Sequence, residues 1–226
     1  MLIIGHRGAA GLAKENTISS FKRAHEHGAQ WIECDLRKTK DGKIVIAHDA
    51  SLHRTHGAPV KISQVTLAEI KQLTGQHDEA IAELAELISV SKLPISIDIK
   101  VVGLESELLQ TLKPFAHNVL VTCWNPLVLN KIKALGGKIE IGFTLNHVPK
   151  SIVPIVMKIV RLMCPELTAI SLHKSLATDS NIKALQKMGL KVNIYTVNDE
   201  DHAQELKNFG ADAIFTDYPN KMSKLA

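Results

Sequence analysis

The stretch Trp31-Ile-Glu33-Cys-Asp35-Leu-Arg37 alternates between apolar residues and residues that are charged or aromatic. Side chains along a strand point to opposite faces in turn, so the three charged residues share one face and the apolar residues between them share the other. The apolar face suits packing beneath helices. The charged face is therefore expected to point into a closed sheet, near the carboxyl end of its strand.

Short runs rich in β-forming residues alternate with windows of helical period along the chain. The predicted strands are Leu2–Gly5, Trp31–Leu36, Ile44–His48, Pro94–Lys100, Val119–Cys123, Ile139–Phe143, Ala169–Leu172, Val192–Thr196 and Ala213–Thr216. The helical windows include Asn125–Leu135, Asp179–Met188 and Glu200–Phe209. This alternation predicts an α/β fold of parallel strands joined by helical crossovers. The 226 residues fit a single domain, residues 1–226, near the usual size of a closed barrel.

Local signals mark the joints between these elements. Glycines expected to close helices in the left-handed conformation are Gly28, Gly137, Gly189 and Gly210. Residues expected to cap helix starts are Thr17, Asn125 and Asp179. The interval from His48 to about Ala80 shows no clear strand–helix pair, so we interpret residues 49–80 as an insertion after the second barrel strand. Long excursions on a barrel usually modify its active-site face.

The composition narrows the class of partner. A net charge of +4, with only 4% aromatic residues and no basic run, argues against nucleic acid. Cys34, Cys123 and Cys164 are too few and too scattered for a disulfide framework or a zinc site, and they suit a reducing compartment. No signal peptide is evident, and no apolar stretch reaches the roughly 18 residues of a membrane span. We therefore expect a cytoplasmic protein without stable membrane insertion.

Acidic residues on two predicted strands indicate a metal site. Glu33 and Asp35 repel each other unless a cation lies between them, and hard cations such as Mg²⁺ and Ca²⁺ prefer oxygen ligands. The simpler alternative is a solvated edge strand or pairing with a nearby Arg or Lys. Asp98 and Lys100 also share a strand face. They form a structural ion pair, or else Asp98 is a metal ligand and Lys100 binds an anionic substrate.

Histidines follow the ends of two predicted strands. His6 and Arg7 come directly after Leu2–Gly5, and His48 closes the run that begins at Ile44. Two imidazoles can divide proton transfer between base and acid because their pKa lies near neutrality. The planar guanidinium of Arg7 suits phosphate oxygens. Since barrel enzymes place their active site at the carboxyl ends of the strands, these residues predict a phosphate-handling metal site.

Several motifs run in order over nearly the whole chain. They are His6-Arg7-Gly8, Glu15-Asn16-Thr17, Glu33-x-Asp35, Thr39-Lys40-Asp41-Gly42, His48-Asp49, Ile97-Asp98-Ile99-Lys100, Tyr195-Thr196-Val197-Asn198, Gly210-Ala-Asp212 and Thr216-Asp217-Tyr-Pro219. Together they resemble the glycerophosphodiester phosphodiesterase family. The resemblance implies a (β/α)₈ TIM barrel with a small insertion after strand two. It also implies metal-dependent hydrolysis of small glycerophosphodiesters to sn-glycerol 3-phosphate and an alcohol.

The same resemblance implies a role for each candidate residue. His6 and His48 become the acid–base pair, acting through a cyclic phosphate. One divalent cation, Mg²⁺ or Ca²⁺, is held by Glu33, Asp35 and Asp98. The implied substrate-binding residues are Arg7, Lys100, Glu15, Asn16 and Tyr195.

Three departures from the family pattern bear on these roles. The family usually has Glu at Asp98, and the shorter side chain withdraws its carboxylate by about 1.5 Å. It usually has Trp at Tyr195, which alters packing against the substrate. A family proline-threonine-leucine stretch appears here as residues 81–86, where we expect only a structural effect at the start of a helix.

Other functions on the same barrel stay open. A lysophospholipase D needs an apolar mouth, whereas the insertion holds few large apolar residues. A metal-free inositol phospholipase C leaves the three carboxylates without a purpose. A non-catalytic phosphodiester-binding barrel, impaired by Asp98, is a further alternative. The apolar run Ile152–Met163 fits either the core or an interface, as in a homodimer.

Overall fold

The computed structural model describes residues 1–75, 77–115 and 118–226. Their strands form one sheet in the order β1-β9-β8-β7-β6-β5-β4-β2-β3, closed by the pairing of β1 with β2. The strands are β1 Leu2–Gly5, β2 Trp31–Lys38, β3 Ile44–Ile46, β4 Ile95–Ile99, β5 Val119–Cys123, β6 Glu140–Leu145, β7 Ala169–His173, β8 Lys191–Tyr195 and β9 Ala213–Thr216. All pairings are parallel except that of β2 with β3. The predicted (β/α)₈ barrel is confirmed.

Helices follow the barrel strands and cover the sheet. They are α1 Ile18–Glu26, α2 His53–His56, α3 Leu67–Thr74, α4 Leu84–Val90, α5 Glu105–Leu112, α6 Pro126–Ala134, α7 Val153–Met163, α8 Asp179–Lys187, α9 Glu200–Phe209 and α10 Pro219–Met222. Within the described ranges, none of them is long and apolar enough to cross a bilayer.

The two faces of β2 separate core from site. Ile32, Cys34 and Leu36 are buried in the main core, which lies between the strands and the surrounding helices. Trp31 packs from the other face against a smaller cluster inside the barrel. The alternation of the sequence thus sends β-branched and aliphatic residues outward, where burial beneath helices stabilises them. Glu33 and Asp35 are left for the barrel interior.

Most of the predicted joints are present, with two corrections. Gly28, Gly189 and Gly210 have positive φ, as expected. At the remaining joint the left-handed residue is Gly136 (φ 83°), so the assignment to Gly137 was wrong by one position. A shift of this size is common because two adjacent glycines satisfy the same helix-ending signal.

Caps were predicted with similar accuracy. The side chains of Thr17 and Asn125 accept hydrogen bonds from the amides of Ser20 and Leu127, as expected. The cap of α8 is Thr178, which accepts from the amide of Asn181, and Asp179 is the first residue inside the helix.

The insertion has more internal structure than its sequence indicated. Residue 76 lies outside the described part of the chain, but α2 and α3 both fall within residues 49–80. A capping box starts α3, in which Thr66 and Glu69 exchange hydrogen bonds. The segment also shares a second hydrophobic cluster with β3 and the residues that flank it, made by Val45, Ala47, Leu52, Ala58, Ile62, Ile70 and Ile81. It follows β3, which pairs with β2, so its position after the second barrel strand agrees with the expectation.

Candidate active site

A cavity of about 530 Å³ opens at the carboxyl ends of the barrel strands. Eight of the ten candidate residues line it, and they come from strands and loops far apart in sequence. They are His6, Arg7, Glu33, Asp35, His48, Asp98, Lys100 and Tyr195. The strand ends bring them together because parallel strands place all their carboxyl ends at one edge.

A single ammonium group bridges two of the three carboxylates. The Nζ of Lys100 lies 3.0 Å from Oδ1 of Asp35 and 2.5 Å from Oδ2 of Asp98. Asp35 and Asp98 are direct neighbours in the register of β2 and β4, which places their side chains side by side. These two carboxylates therefore already share a cation. The structural ion pair that the sequence offered as one alternative for Asp98 and Lys100 is present.

Asp98 is held from its other side as well. Its Oδ1 accepts hydrogen bonds from the hydroxyls of Thr122, at 3.1 Å, and Thr144, at 3.2 Å. These residues belong to the next two barrel strands, so three neighbouring strands fix the position of this carboxylate. These bonds hold the Asp98 carboxylate in one place.

The first loop holds Arg7 in an unusual backbone conformation. Arg7 has φ of 50°, and its amide donates to Oε2 of Glu33 at 2.7 Å. The next residue, Gly8, has φ of 85°, and a Cβ placed on it would lie only 2.3 Å from Oγ of Ser20. That serine donates to the carbonyl of Arg7 at 2.8 Å. Glycine is thus required for the close approach of α1 that fixes the loop.

Charge is unevenly compensated among the buried carboxylates. Burial and the neighbouring Asp35 raise the pKa of Glu33 to about 7. Burial also raises the pKa of Asp98. For Asp35, burial acts in the same direction, but Lys100 and Arg7 outweigh it and hold its pKa below the usual range. The protein's own cations therefore stabilise one of these carboxylates fully and leave a deficit of positive charge at Glu33.

These residues fit a divalent cation by their chemistry. All three side chains offer hard oxygen donors, and a further positive charge would correct the deficit at Glu33. As the side chains stand, no three His, Cys, Asp or Glu residues of the described chain enclose a ready-made metal site. The ammonium of Lys100 fills the gap between Asp35 and Asp98.

His6 is oriented by a carboxylate that comes from the far end of the chain. Its Nδ1 lies 2.7 Å from Oδ1 of Asp217, and Asn198 donates to the other oxygen of Asp217 at 2.6 Å. Burial lowers the pKa of His6, but the hydrogen bond to Asp217 and the charge of Glu33 outweigh it, so the net shift is upward. With Nδ1 engaged, Nε2 is the ring nitrogen available to a substrate.

His48 is held in the same way by its sequence neighbour. Its Nδ1 lies 2.8 Å from Oδ1 of Asp49, whose other oxygen accepts from Nε of Arg54 at 2.6 Å. Arg37 donates two hydrogen bonds to the carbonyl of His48. Arg37 does not line the cavity itself, but it fixes the backbone of His48, which does.

Glu15 and Asn16 do not line the cavity. Glu15 instead accepts from Nη1 of Arg7 at 3.0 Å and makes two hydrogen bonds with Arg54. Asn16, with φ of 58°, donates to Oδ2 of Asp35 at 2.8 Å. Both lie behind the lining residues and orient them. Direct contact with substrate is not what their positions favour.

Tyr195 stands at the end of β8 on the apolar side of the cavity. Its ring makes edge contacts with Phe215 and His173. Its hydroxyl donates to the carbonyl of Leu145 at 3.3 Å. The smaller aromatic residue at this position therefore still forms a wall, anchored by its polar end.

Sequence reasoning gave no role to several residues that organise the cavity. Asp217 was noticed only as part of a motif, although it directly follows the predicted strand Ala213–Thr216. That placement was the available signal, since residues after barrel strands face the site. Asn198 likewise stands within a motif, Tyr195–Asn198, without a role assigned to it. The two threonines on Asp98 gave no signal, because single hydroxyls within a strand are common.

Comparison with known proteins gives a consistent result. The sequence profile of the Glycerophosphoryl diester phosphodiesterase family matches residues 6–221. A glycerophosphodiester phosphodiesterase of Caldanaerobacter subterraneus subsp. tengcongensis is 30% identical over 99% of this chain and 97% of its own. A lysophospholipase D of Homo sapiens is 27% identical over 97% of this chain and 84% of its own.

A solved structure extends the similarity to three dimensions. The Oleispira antarctica phosphodiesterase in complex with the product sn-glycerol-3-phosphate aligns with a TM-score of 0.88 at 30% identity. The alignment covers 99% of this chain and 96% of that one. These relatives and the cavity agree on one class of enzyme, the phosphoric diester hydrolases. Within that class, the chain belongs to the glycerophosphodiester phosphodiesterase family.

Proposed function

We propose that this protein hydrolyses glycerophosphodiesters to sn-glycerol 3-phosphate and an alcohol, with one divalent cation and with His6 and His48 as acid and base. The observation that carries the proposal is the matched placement of the two imidazoles. Each has its Nδ1 on a carboxylate, at 2.7 and 2.8 Å, and both line the cavity that holds the three candidate metal ligands. Paired imidazoles are suited to the two proton transfers that cleavage of a phosphodiester needs.

Glu33, Asp35 and Asp98 would hold Mg²⁺ or Ca²⁺, because oxygen-only ligation suits both ions. When bound, the cation supplies Lewis-acid polarisation of phosphoryl oxygen and lowers the pKa of a nearby hydroxyl. Asn16 and the threonines on Asp98 keep two of the ligands oriented.

The imidazoles would move the protons. One accepts the proton of the glycerol 2-hydroxyl as that oxygen attacks phosphorus, and the other donates a proton to the leaving alcohol oxygen. Water then opens the resulting cyclic phosphate with the two roles reversed.

Arg7 and Lys100 would bind the phosphate. Their positive charges face the cavity and stabilise negative charge that builds on the non-bridging oxygens. Tyr195 would line the glycerol side. Glu15 would act indirectly, since its carboxylate holds the guanidinium of Arg7.

The test is release of glycerol 3-phosphate from glycerophosphocholine and glycerophosphoethanolamine, with Mg²⁺, with Ca²⁺ and with EDTA. We expect release with a divalent cation and none with EDTA. Release that continues unchanged in EDTA would remove the metal from the mechanism. A folded protein that releases nothing under any condition would refute the proposed substrate.

A lysophospholipase D activity is a second candidate. Trp124 lines the cavity and is 61% exposed, so it offers an apolar surface at the mouth where an acyl chain can lie. One relative carries that name. Release of choline from lysophosphatidylcholine, compared with release from glycerophosphocholine, separates the two substrates. If the protein turns over glycerophosphocholine but not lysophosphatidylcholine, the lysophospholipase D activity is excluded.

A further inference from the structure

The outer face of α7 carries a stripe of large apolar side chains that nothing in the described chain covers. Ile155, Ile159 and Leu162 are 57%, 55% and 82% exposed, at the spacing that places them on one side of a helix. Met163 lies beside them and is also exposed. We call Ile155, Ile159, Leu162 and Met163 the outer stripe. Isolated exposed apolar residues are ordinary, whereas a contiguous stripe marks an interaction surface.

The outer stripe is not needed to attach the helix to the barrel. Val153, Met157 and Val160 form the opposite face of α7 and are buried in the main core. The helix thus has one apolar face that packs inward and a second that faces solvent. Burial of the first already stabilises the helix, so the second has no structural role in the isolated chain.

The charged residues of α7 itself have one sign. The helix contains Lys158 and Arg161 and no acidic residue. Lys187, on the neighbouring helix α8, is also exposed. The first acidic residue beyond the helix, Glu166, is directed to an ion pair with Lys133 at 3.3 Å. An apolar stripe flanked by cations is complementary to a partner surface with negative charge on its outside and an apolar layer directly below that charge.

A second copy of this chain fits the stripe poorly. In a two-fold pair the same patch meets itself, so Lys158 and Arg161 of both copies would be brought together. The helix offers no carboxylate to compensate them. Like charges at an interface oppose association.

We propose that the outer stripe docks the protein on the surface of an anionic lipid bilayer. The apolar side chains enter the boundary between headgroups and acyl chains, and the flanking cationic side chains meet anionic headgroups. The contact is peripheral. It does not depend on the reaction assigned to the cavity.

The test is co-sedimentation of the purified protein with phosphatidylcholine vesicles, with and without phosphatidylglycerol. We expect binding to the anionic vesicles and weaker binding near 1 M salt, where the screening length falls to about 3 Å. The double substitution Ile159→Gln with Leu162→Gln removes apolar contact without changing charge. It is expected to lower the partition coefficient about tenfold or more.

The matched control is Leu73→Gln, which alters an exposed leucine of α3 outside the stripe and is expected to leave vesicle binding unchanged. Circular dichroism of each variant verifies folding. Vesicle binding is read without turnover, so failure of the proposed reaction would leave this test intact. Equal sedimentation of the double variant and the parent, or none of the parent, overturns the proposal. If light scattering shows a dimer that dissociates in the double variant, the outer stripe is instead an interface between two copies of this chain.

Discussion

At the scale of single residues, the cavity relies on carboxylates that do not line it. Asp217 and Asp49 each hold one imidazole by Nδ1, and Glu15 holds the guanidinium of Arg7. Orientation of this kind matters because a proton transfer needs its nitrogen within hydrogen-bond reach of the reacting oxygen. The reactive groups and their supports are therefore separable by mutation.

The substitution Asp217→Asn tests such a support. We expect kcat to fall about 10- to 100-fold, since the imidazole loses its charged anchor but keeps its place. The hydrogen bond to Asp217 contributes to the raised pKa of His6, so the pKa of His6 should fall in the variant. A pH profile of kcat and an NMR titration of the imidazole measure the two effects. An unchanged pKa of His6 would show that Asp217 is not its anchor, and Asp179→Asn serves as the exposed control.

Removal of an imidazole should be more severe. His6→Ala and His48→Ala are each expected to lower kcat by about 10²–10⁴-fold, because a proton-transfer group is lost. The thermal midpoint should change little for His48, whose side chain is partly exposed. Steady-state kinetics and thermal unfolding check both statements. Near-normal turnover in both variants would refute the acid–base assignment.

At the scale of elements, the insertion supports one side of the cavity. His48 and Asp49 lie between β3 and α2, and Leu52 and Ile70 belong to the separate cluster beneath them. The position of His48 thus depends on a small core that is distinct from the main one. Such satellite clusters can open locally while the rest of a fold persists.

Ile70→Ala tests this dependence. A buried isoleucine cut to alanine costs about 2–5 kcal/mol. Because Ile70 belongs to the cluster of the insertion, we expect residues 51–75 to become sensitive to protease before the barrel does, with a loss of activity. Limited proteolysis with mass spectrometry locates the cuts. Val102→Ala, at an exposed loop position, is the control. Cleavage that is spread evenly over the chain would contradict the idea of a separate unit.

The sequence predicted the barrel strands better than the residues and helices that hold the cavity residues in place. The run Ala213–Thr216 was assigned with its observed bounds, because a short buried strand is a dense local signal. The helix α3 was missed because it has only eight residues, which is too short to show a clear helical repeat of apolar residues in the sequence. Eight candidate residues reach the cavity because strand ends converge. Glu15 and Asn16 stand behind it, which depends on the left-handed turn at Arg7 and Asn16 that composition does not reveal.

At the scale of the whole molecule, the buried carboxylates of the cavity link binding of a cation to the free energy of unfolding of the barrel. A cation that binds only the folded barrel stabilises it by mass action, by about 2.7 kcal/mol at a hundred times its Kd. For a domain of this size that is a rise of roughly 5–10 °C in Tm. We expect Mg²⁺ or Ca²⁺ to raise Tm in a saturable manner. Differential scanning fluorimetry measures the shift.

The same experiment has a built-in control. Asp35→Asn removes a proposed ligand and should abolish the saturable rise, while NaCl at equal ionic strength should give none in the parent protein. A variant that responds to Mg²⁺ and Ca²⁺ as the parent does would separate Asp35 from the metal.

The pairing of β1 with β9 also has a consequence for synthesis. His6 leaves the ribosome early, whereas its partner Asp217 lies 211 residues further along. At the usual rate of translation the imidazole waits about 10–40 s for its carboxylate. During that time β1 has one edge without its final neighbour, and the nascent chain cannot close the barrel. A chain stalled before Ala213 therefore holds all ten candidate residues but has neither Asp217 nor a closed barrel.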